Sequence, residues 1–251
     1  MAQRKVLVTG ASGRVAEMLR AGLDGVHIRA VDRGDLPADA GHETAVGDLA
    51  NRPFAEEVVD GVDVVVHLAA NPAPYASWDD LRAPNVEALV NIVDAANRAG
   101  VRRVVLASSV HAMGGYVRPG VVVEPDWPVR PCCRYGATKA FSEAYGRMTA
   151  LTTDMSVICL RLGACLPRPV DSGSAPGWLA PEDLQQLVRR CLEADVRTGT
   201  YFGVSANTRT AFDIANARAE LGYEPRHDSE AYAADLPEGD GGLCRITPLE
   251  T

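Results

Sequence analysis

No stretch of the chain approaches the ~18 consecutive apolar residues of a membrane-spanning helix, so no span is expected. No secretory leader is expected either, because the first apolar strand begins within a few residues of Met1. Basic residues are not in excess: 33 acids face 25 Lys and Arg, for a formal charge of −8 and a pI near 5.2. That balance argues against a nucleic-acid surface and against docking on anionic membrane. Low-complexity blocks and internal repeats are missing. The cysteines Cys132, Cys133, Cys159, Cys165, Cys191 and Cys244 include no C-x-x-C pair and no metal-ligand spacing with histidine. They read as buried or idle thiols of a cytoplasmic protein, and no metal is expected. What remains is a chain of 251 residues, 47% hydrophobic and 23% charged. That is enough for one globular domain with a sizeable core, or for a domain with a small lobe.

Short apolar runs alternate with longer amphipathic segments. Strands are expected at Val6–Val8, His27–Val31, Val62–Leu68, Val104–Ala107 and Val157–Leu162. Helices are expected after Gly13, at Phe54–Val59, at Leu81–Ala99, from about Tyr135 to Leu151, at Leu184–Leu192 and at Asp213–Leu221. The alternation predicts an α/β, Rossmann-type doubly wound parallel sheet. Its ligand would lie outside the carboxyl ends of the strands, where strand order reverses. A Pro/Gly/Ser-rich break from Leu166 to Pro181 divides residues 1–165, the dinucleotide-binding part, from residues 166–251, a smaller and integrated substrate-binding part. The end of the chain is acidic and glycine-rich, with Asp235, Glu238, Asp240, Gly241 and Gly242, and reads as a loose tail or an edge strand.

The stretch V-L-V-T-G-A-S-G-R-V-A, residues 6–16, is strand, glycine turn and helix start in succession. A phosphate-cradling turn needs that order. Gly10 permits a sharp turn, Gly13 lets a diphosphate approach the backbone, and Ala16 keeps the helix close to the strand. Asp32 ends the second strand, where a carboxylate can accept from both ribose hydroxyls of an adenosine. NAD is therefore favoured over NADP, although the neighbouring Arg33 would accommodate a 2′-phosphate. Tyr135 and Lys139 lie one helical turn apart and project together. An ammonium beside the phenol favours the phenolate, which can exchange a proton with an alcohol or carbonyl during hydride transfer. Ser108 and Ser109 follow a strand end, where a hydroxyl can hold the reacting oxygen.

Together, T-G-A-S-G-R-V-A, Asp32, Asp48-Leu49, His67-Leu68-Ala69-Ala70, Asn85, Ser108-Ser109 and Tyr135-x-x-x-Lys139 resemble the extended short-chain dehydrogenase/reductase superfamily, the NAD-dependent epimerase/dehydratase group. Within it, Ser108-Ser109-Val110-His111, Tyr201–Asn207 and Leu221–Pro225 are most similar to the uronate dehydrogenases. The resemblance implies that Gly10, Ser12, Gly13, Arg14 and Val15 line the diphosphate and that Asp32 holds the ribose. Asp48 and Leu49 would border the adenine, with Leu68, Ala69 and Ala70 beneath the coenzyme. Asn85, grouped with the cofactor-binding residues, matches an asparagine that supports the active-site helix. Tyr135 would be the base, Lys139 its modulator and a ribose ligand, and Ser109 the oxygen-binding hydroxyl. A homodimer through paired helices is implied as well.

The substrate side departs from the uronate dehydrogenase pattern. The asparagine of S-S-N-H is Val110, and the serine of R-[IL]-G-S is Ala164. The arginine that grips the sugar carboxylate falls on Gly173, and the late tryptophan pair is Ala211-Phe212. Glycine cannot replace an arginine–carboxylate fork; Arg168 or Arg130 would have to reach over from another direction. Val110, His111, Ala164 and Gly173 are thus the candidate substrate contacts of a roomier, less cationic pocket. His111 reads equally as a loop histidine, and Trp178 as pocket wall or packing. The expected activity is NAD(P)-dependent interconversion of an alcohol or hemiacetal and a carbonyl on a cyclic, sugar-like and less anionic substrate, a biosynthetic ketoreductase being one example. A coenzyme-retaining sugar epimerase or dehydratase is the alternative, disfavoured as a dehydratase because no acid pair follows Ser109. A dinucleotide-binding regulatory protein is the third, disfavoured by the complete Ser–Tyr–Lys set.

Overall fold

A computed structural model describes residues 3–239. Cys244 and the Asp240, Gly241 and Gly242 of the acidic tail lie outside the described residues. Seven strands form one sheet: β1 (Lys5–Thr9), β2 (His27–Asp32), β3 (Glu43–Val46), β4 (Val64–His67), β5 (Arg103–Ser109), β6 (Ser156–Leu162) and β9 (Thr198–Gly203). Two further strands, β7 (Ala164–Cys165) and β8 (Trp178–Leu179), pair with each other. The sheet order is β3-β2-β1-β4-β5-β6-β9, and every pairing is parallel. Strand order reverses between β1 and β4, so the carboxyl ends of those two strands border the crevice of a doubly wound sheet. β9 follows the Pro/Gly/Ser-rich break, yet it pairs with β6 and extends the same sheet.

Alternate residues of the strands feed two cores, as expected for a sheet covered on both faces. Val6, Val8, Val64, Val66, Ile158 and Leu160 pack with α1 (Arg14–Arg20) and α6 (Pro181–Glu193). Leu7, Val65, Val104, Leu106 and Val157 pack on the other face with α2 (Arg52–Val58) and α4 (Ala88–Arg98). The long α5 (Arg134–Thr152) lies on that second face. Gly146 makes its close approach possible: a Cβ there would stand 2.8 Å from Val157 and 2.9 Å from Leu106.

The structure departs from the sequence expectations in two helices and two edge strands, besides the short β7–β8 pair. The helix expected at Leu81–Ala99 is three pieces: α3 (Trp78–Leu81), a π-helical stretch Arg82–Glu87, and α4. Pro84 sits in the middle piece and has no N–H to donate to the preceding turn, so the helix widens there. The helix expected at Asp213–Leu221 shrinks to a short turn containing the π-helical Ala217–Leu221. Its first residues are held elsewhere, since Asp213 N donates to Val123 O and Phe212 bridges to Val123. The strands β3 and β9, not anticipated, are the two edges of the sheet. β3 is half exposed along its length, and β9 is exposed or half-buried at its start, so neither shows the continuous apolar run of an inner strand.

Candidate active site

The carboxyl ends of β1, β2, β4, β5 and β6 open on one cavity of about 1330 Å³, larger than the several hundred Å³ typical of a single small ligand. At one end is the turn after β1. Gly10 has φ +69°, and a Cβ there would lie 2.7 Å from Ala69 N. No other residue fits where the loops after β1 and β4 touch. Gly13 is equally confined, with an added Cβ 3.1 Å from Gly10 O. Ser12, Arg14 and Val15 line the same end, as do Asp48, Leu49, Leu68, Ala69 and Ala70. The bare, concave backbone at this turn fits the diphosphate of a dinucleotide.

Asp32 closes that end. Its Oδ2 accepts from Ser12 N at 2.9 Å and from Ser12 Oγ at 2.7 Å, and its Oδ1 accepts from Arg33 N at 2.7 Å. Partial burial raises its pKa, but the hydrogen bonds outweigh that and hold the group below the ordinary carboxylate range. The acid is thus kept ionised at a strand end that can receive a ribose diol and repel a 2′-phosphate. Asp32→Asn is expected to raise the KM for NAD by about 10–100-fold, the loss of charge-assisted hydrogen bonds, and to narrow the preference over NADP. Steady-state kinetics with both coenzymes check it.

Beneath the turn, the imidazole of His67, at the end of β4, hydrogen-bonds Thr9 Oγ1 at 2.8 Å, and Thr9 Oγ1 accepts Ala69 N at 3.2 Å. Burial, with a smaller contribution from the Lys139 ammonium, lowers the His67 pKa from 6.5 to about 3. The unfolded chain therefore takes up this proton first as pH falls. His67 is expected to cost stability progressively between pH 6.5 and about 3, by up to about 1.4 kcal/mol per pH unit. Denaturant melts of the wild type and of His67→Gln across that range test this, the variant showing the shallower slope.

At the other end of the cavity, β5 delivers Ser109 and α5 delivers Tyr135 and Lys139, all three against the same space. The Ser109 hydroxyl favours the ionised form of the Tyr135 phenol, and its Oγ accepts His111 N at 3.2 Å. Lys139 is buried, donates from Nζ to Ala107 O at 2.7 Å and lies 5.6 Å from the centre of the Tyr135 ring. The expected lowering of the phenol by Lys139 is not what dominates. Burial pushes Tyr135 up to about 12 against the opposing Ser109 hydroxyl, and burial pulls Lys139 down to about 8. The phenol is therefore held as a proton donor.

Asn85 does not line the cavity. The π-helical stretch turns it inward, where it accepts Asn71 N at 2.7 Å and donates to Asn71 O and to Thr138 Oγ1, each at 3.1 Å. It braces α5 rather than contacting the cavity space. Val110, His111, Ala164 and Gly173 do line the cavity. Arg130 and Arg168 do not; Arg130 sits over the Tyr116 ring at 5.2 Å. The cations on the substrate side are instead Arg118 and Arg209, both exposed, with Arg209 Nε 2.8 Å from Glu230. Trp178 is packing: it is buried, with its Nε1 donating to Leu166 O at 2.8 Å.

Two arrangements escaped the sequence. Glu143 and Arg161 form a buried two-pronged ion pair, at 2.9 and 2.8 Å, to which Ser108 Oγ donates at 2.5 Å. Ser108 thus serves the support of α5, and Ser109 faces Tyr135. The second concerns the cysteines. Cys132 and Cys133 are not idle: both sulfurs meet His111 Nδ1, at 3.4 and 3.5 Å. Cys133 Sγ also accepts Gly136 N at 3.3 Å as the cap of α5. Hydrogen bonds from Cys132, His111 and Gly136 hold the Cys133 thiol well below its ordinary range. The separation of His111 from the cysteine pair by twenty residues matches no familiar metal motif, so only the adjacency of two cysteines just before Tyr135 was a signal.

Residues 6–174 match the NAD dependent epimerase/dehydratase family. The chain belongs to that family. An NAD-dependent glucose-6-phosphate dehydrogenase of Haloferax volcanii is 33% identical, over 90% of this chain and 95% of its own length. A uronate dehydrogenase of Pseudomonas putida is 30% identical, over 92% of this chain and 87% of its own. Among solved structures, a mutant of uronate dehydrogenase from Agrobacterium tumefaciens complexed with NAD superposes with a TM-score of 0.86 at 29% identity, covering 92% and 88% of the two chains. NAD is the coenzyme of this family, and a solved relative is complexed with it. Among the described residues, no helix is long and apolar enough to cross a membrane.

Proposed function

We propose that this chain is an NAD-dependent dehydrogenase that interconverts an alcohol or hemiacetal and a carbonyl on a cyclic, sugar-like substrate. The observation that carries the reading is the opening of the glycine turn and of Ser109, Tyr135 and Lys139 onto one cavity. Bound NAD would accept a hydride from the substrate carbon. Ser109 would hold the substrate oxygen, and Tyr135 would exchange the proton on that oxygen. Because the phenol is held protonated, Tyr135 is poised to donate to a carbonyl. Lys139 is placed to offset negative charge on the phenol during oxidation. The relatives named glucose-6-phosphate and uronate dehydrogenase support sugar oxidation as the reaction class.

The surroundings of the reacting group, Val110, Ala164 and Gly173, carry no charge. This supports a neutral ring, with a pathway ketone as the other substrate such a site would take. Arg118 and Arg209 favour a second reading, a sugar whose anionic substituent points outward to them. Exposed Phe141, Met148 and Leu151 on α5 support pairing of two copies through that helix. The test is NADH formation with a panel of neutral aldoses, uronates, hexose phosphates and cyclic ketones. Net coenzyme reduction or oxidation is the expected result; interconversion of sugars without net redox change would mark an epimerase instead.

A further inference from the structure

We propose that His111, Cys132 and Cys133 form a binding site for a thiophilic, tetrahedral cation of the Zn²⁺ class. One nitrogen and two sulfurs converge there, all within 4.8 Å of one another. In a tetrahedral zinc site with bonds of about 2.3 Å to sulfur and about 2.05 Å to nitrogen, the sulfurs stand about 3.8 Å apart and each lies about 3.6 Å from the nitrogen. The corresponding separations here are 4.0 Å for the two sulfurs and 3.4 and 3.5 Å from sulfur to His111 Nδ1. The polygon of a zinc site is thus already drawn, and a cation needs only shifts of a few tenths of an ångström to enter it.

The backbone holds this arrangement in place. Cys132 N donates to His111 O at 3.3 Å, which pins the cysteine pair to the turn after β5. Gly114 leaves the space that the Cys132 sulfur fills, since a Cβ there would lie 2.4 Å from Sγ. Gly136 lets α5 approach His111 closely, its own added Cβ meeting His111 O at 2.3 Å. Gly136 N–H points at Cys133 Sγ and favours the thiolate that a metal requires. All three ligand residues are half-buried, so ions can reach them. The other described cysteines, Cys159, Cys165 and Cys191, are buried, with thiols pushed up to about 12 by burial, and do not compete. Two soft sulfurs and an imidazole select Zn²⁺ or Cd²⁺ over Mg²⁺ and Ca²⁺, and leave a fourth position for water. His111 also lines the cavity and meets the Tyr135 ring edge-on at 5.5 Å, so the site stands beside the catalytic phenol.

The experiment is a Cd²⁺ titration of tag-free, fully reduced protein, followed by the ultraviolet thiolate-to-metal absorption, with Zn²⁺ then competed against a chromogenic chelator. Saturation at about one equivalent per chain is expected, with displacement by Zn²⁺ and no response to Mg²⁺. Cys132→Ser and Cys133→Ser are each expected to lose most of the absorption, and the double variant all of it. Serine at 133 preserves the helix cap, and an unchanged melting temperature of the metal-free variants shows that they fold. A reduced wild type that gives no thiolate absorption overturns the proposal. So does absorption that survives in the folded double variant. Neither readout requires turnover, so the outcome is independent of the proposed dehydrogenase activity.

Discussion

Tyr135→Phe is expected to lower kcat/KM by about 10²–10⁴-fold, the range carried by a positioned acid–base group, while NAD binding stays within a few-fold of wild type. The phenylalanine keeps the ring, its edge contact with His111 and its packing against the cavity wall, and removes only the hydroxyl. Ser109 then loses the phenol beside it, and neither Lys139 nor His67 can take its place. Lys139 is committed to Ala107 O, and His67 is buried below the diphosphate turn with its Nδ1 engaged by Thr9. Coenzyme affinity, read by NADH fluorescence, is expected to depend instead on Gly10, Gly13 and Asp32 at the far end of the cavity. Turnover within threefold of wild type would remove the phenol from the mechanism. A regulatory dinucleotide-binding protein would show unchanged binding in the variant and no turnover in either form, which separates that class from an enzyme.

The parts of this molecule that could be read from the sequence are those determined by local rules. A glycine turn between an apolar strand and a helix, a carboxylate at the next strand end, and Tyr and Lys one turn apart on a helix each state their geometry in a few residues. The inner strands were legible because both of their faces are buried. What could not be read depends on contacts between distant segments. The edges β3 and β9 lack an uninterrupted apolar signature. The continuous helix expected at Leu81–Ala99 hid Pro84, where the π-helical stretch turns Asn85 towards Thr138. Arg118 and Arg209 reach the cavity from loops with no motif of their own. Arg130 and Arg168 would have to reach over from another direction, and neither lines the cavity. His111 and the cysteine pair become neighbours only because β5 and α5 meet at the same end of the sheet. The sign of the Tyr135 shift was also hidden: an ammonium one turn away is visible in a sequence, whereas the burial that outweighs it is a property of the packed cavity.

Arg161→Met is expected to produce the largest loss of stability of any single change considered, about 3–5 kcal/mol, because it leaves a buried carboxylate without its partner. Both charged side chains of the pair are nearly inaccessible, at 3% exposure for Arg161 and 7% for Glu143. The guanidinium also donates to Pro125 O at 2.8 Å and lies over the Phe202 ring at 5.3 Å. One residue thus ties β6, α5, β9 and the loop carrying Pro125 into a single unit. Ser108 alone, donating one hydrogen bond, cannot offset the desolvation of Glu143. At about 2–4 °C per kcal/mol for a chain of this size, the melting temperature is expected to fall by about 6–20 °C. The double variant Arg161→Met with Glu143→Leu is expected to regain a large part of that loss, since an apolar pair of similar volume is often no worse than a buried ion pair. That recovery, measured as a double-mutant cycle by thermal unfolding, separates a missing partner from a mere cavity: a cavity would make the double variant worse than either single one. Activity offers an independent readout. Glu143 lies two turns along α5 from Tyr135, and Ser108 adjoins Ser109 on β5, so the ion pair is expected to influence how the Tyr135 phenol stands against the Ser109 hydroxyl. The double variant is therefore expected to fold and to bind NAD, yet to turn over more slowly, with the loss in kcat rather than in the coenzyme KM. Wild-type kcat in a stably folded double variant would show that the pair holds the fold together without positioning the chemistry.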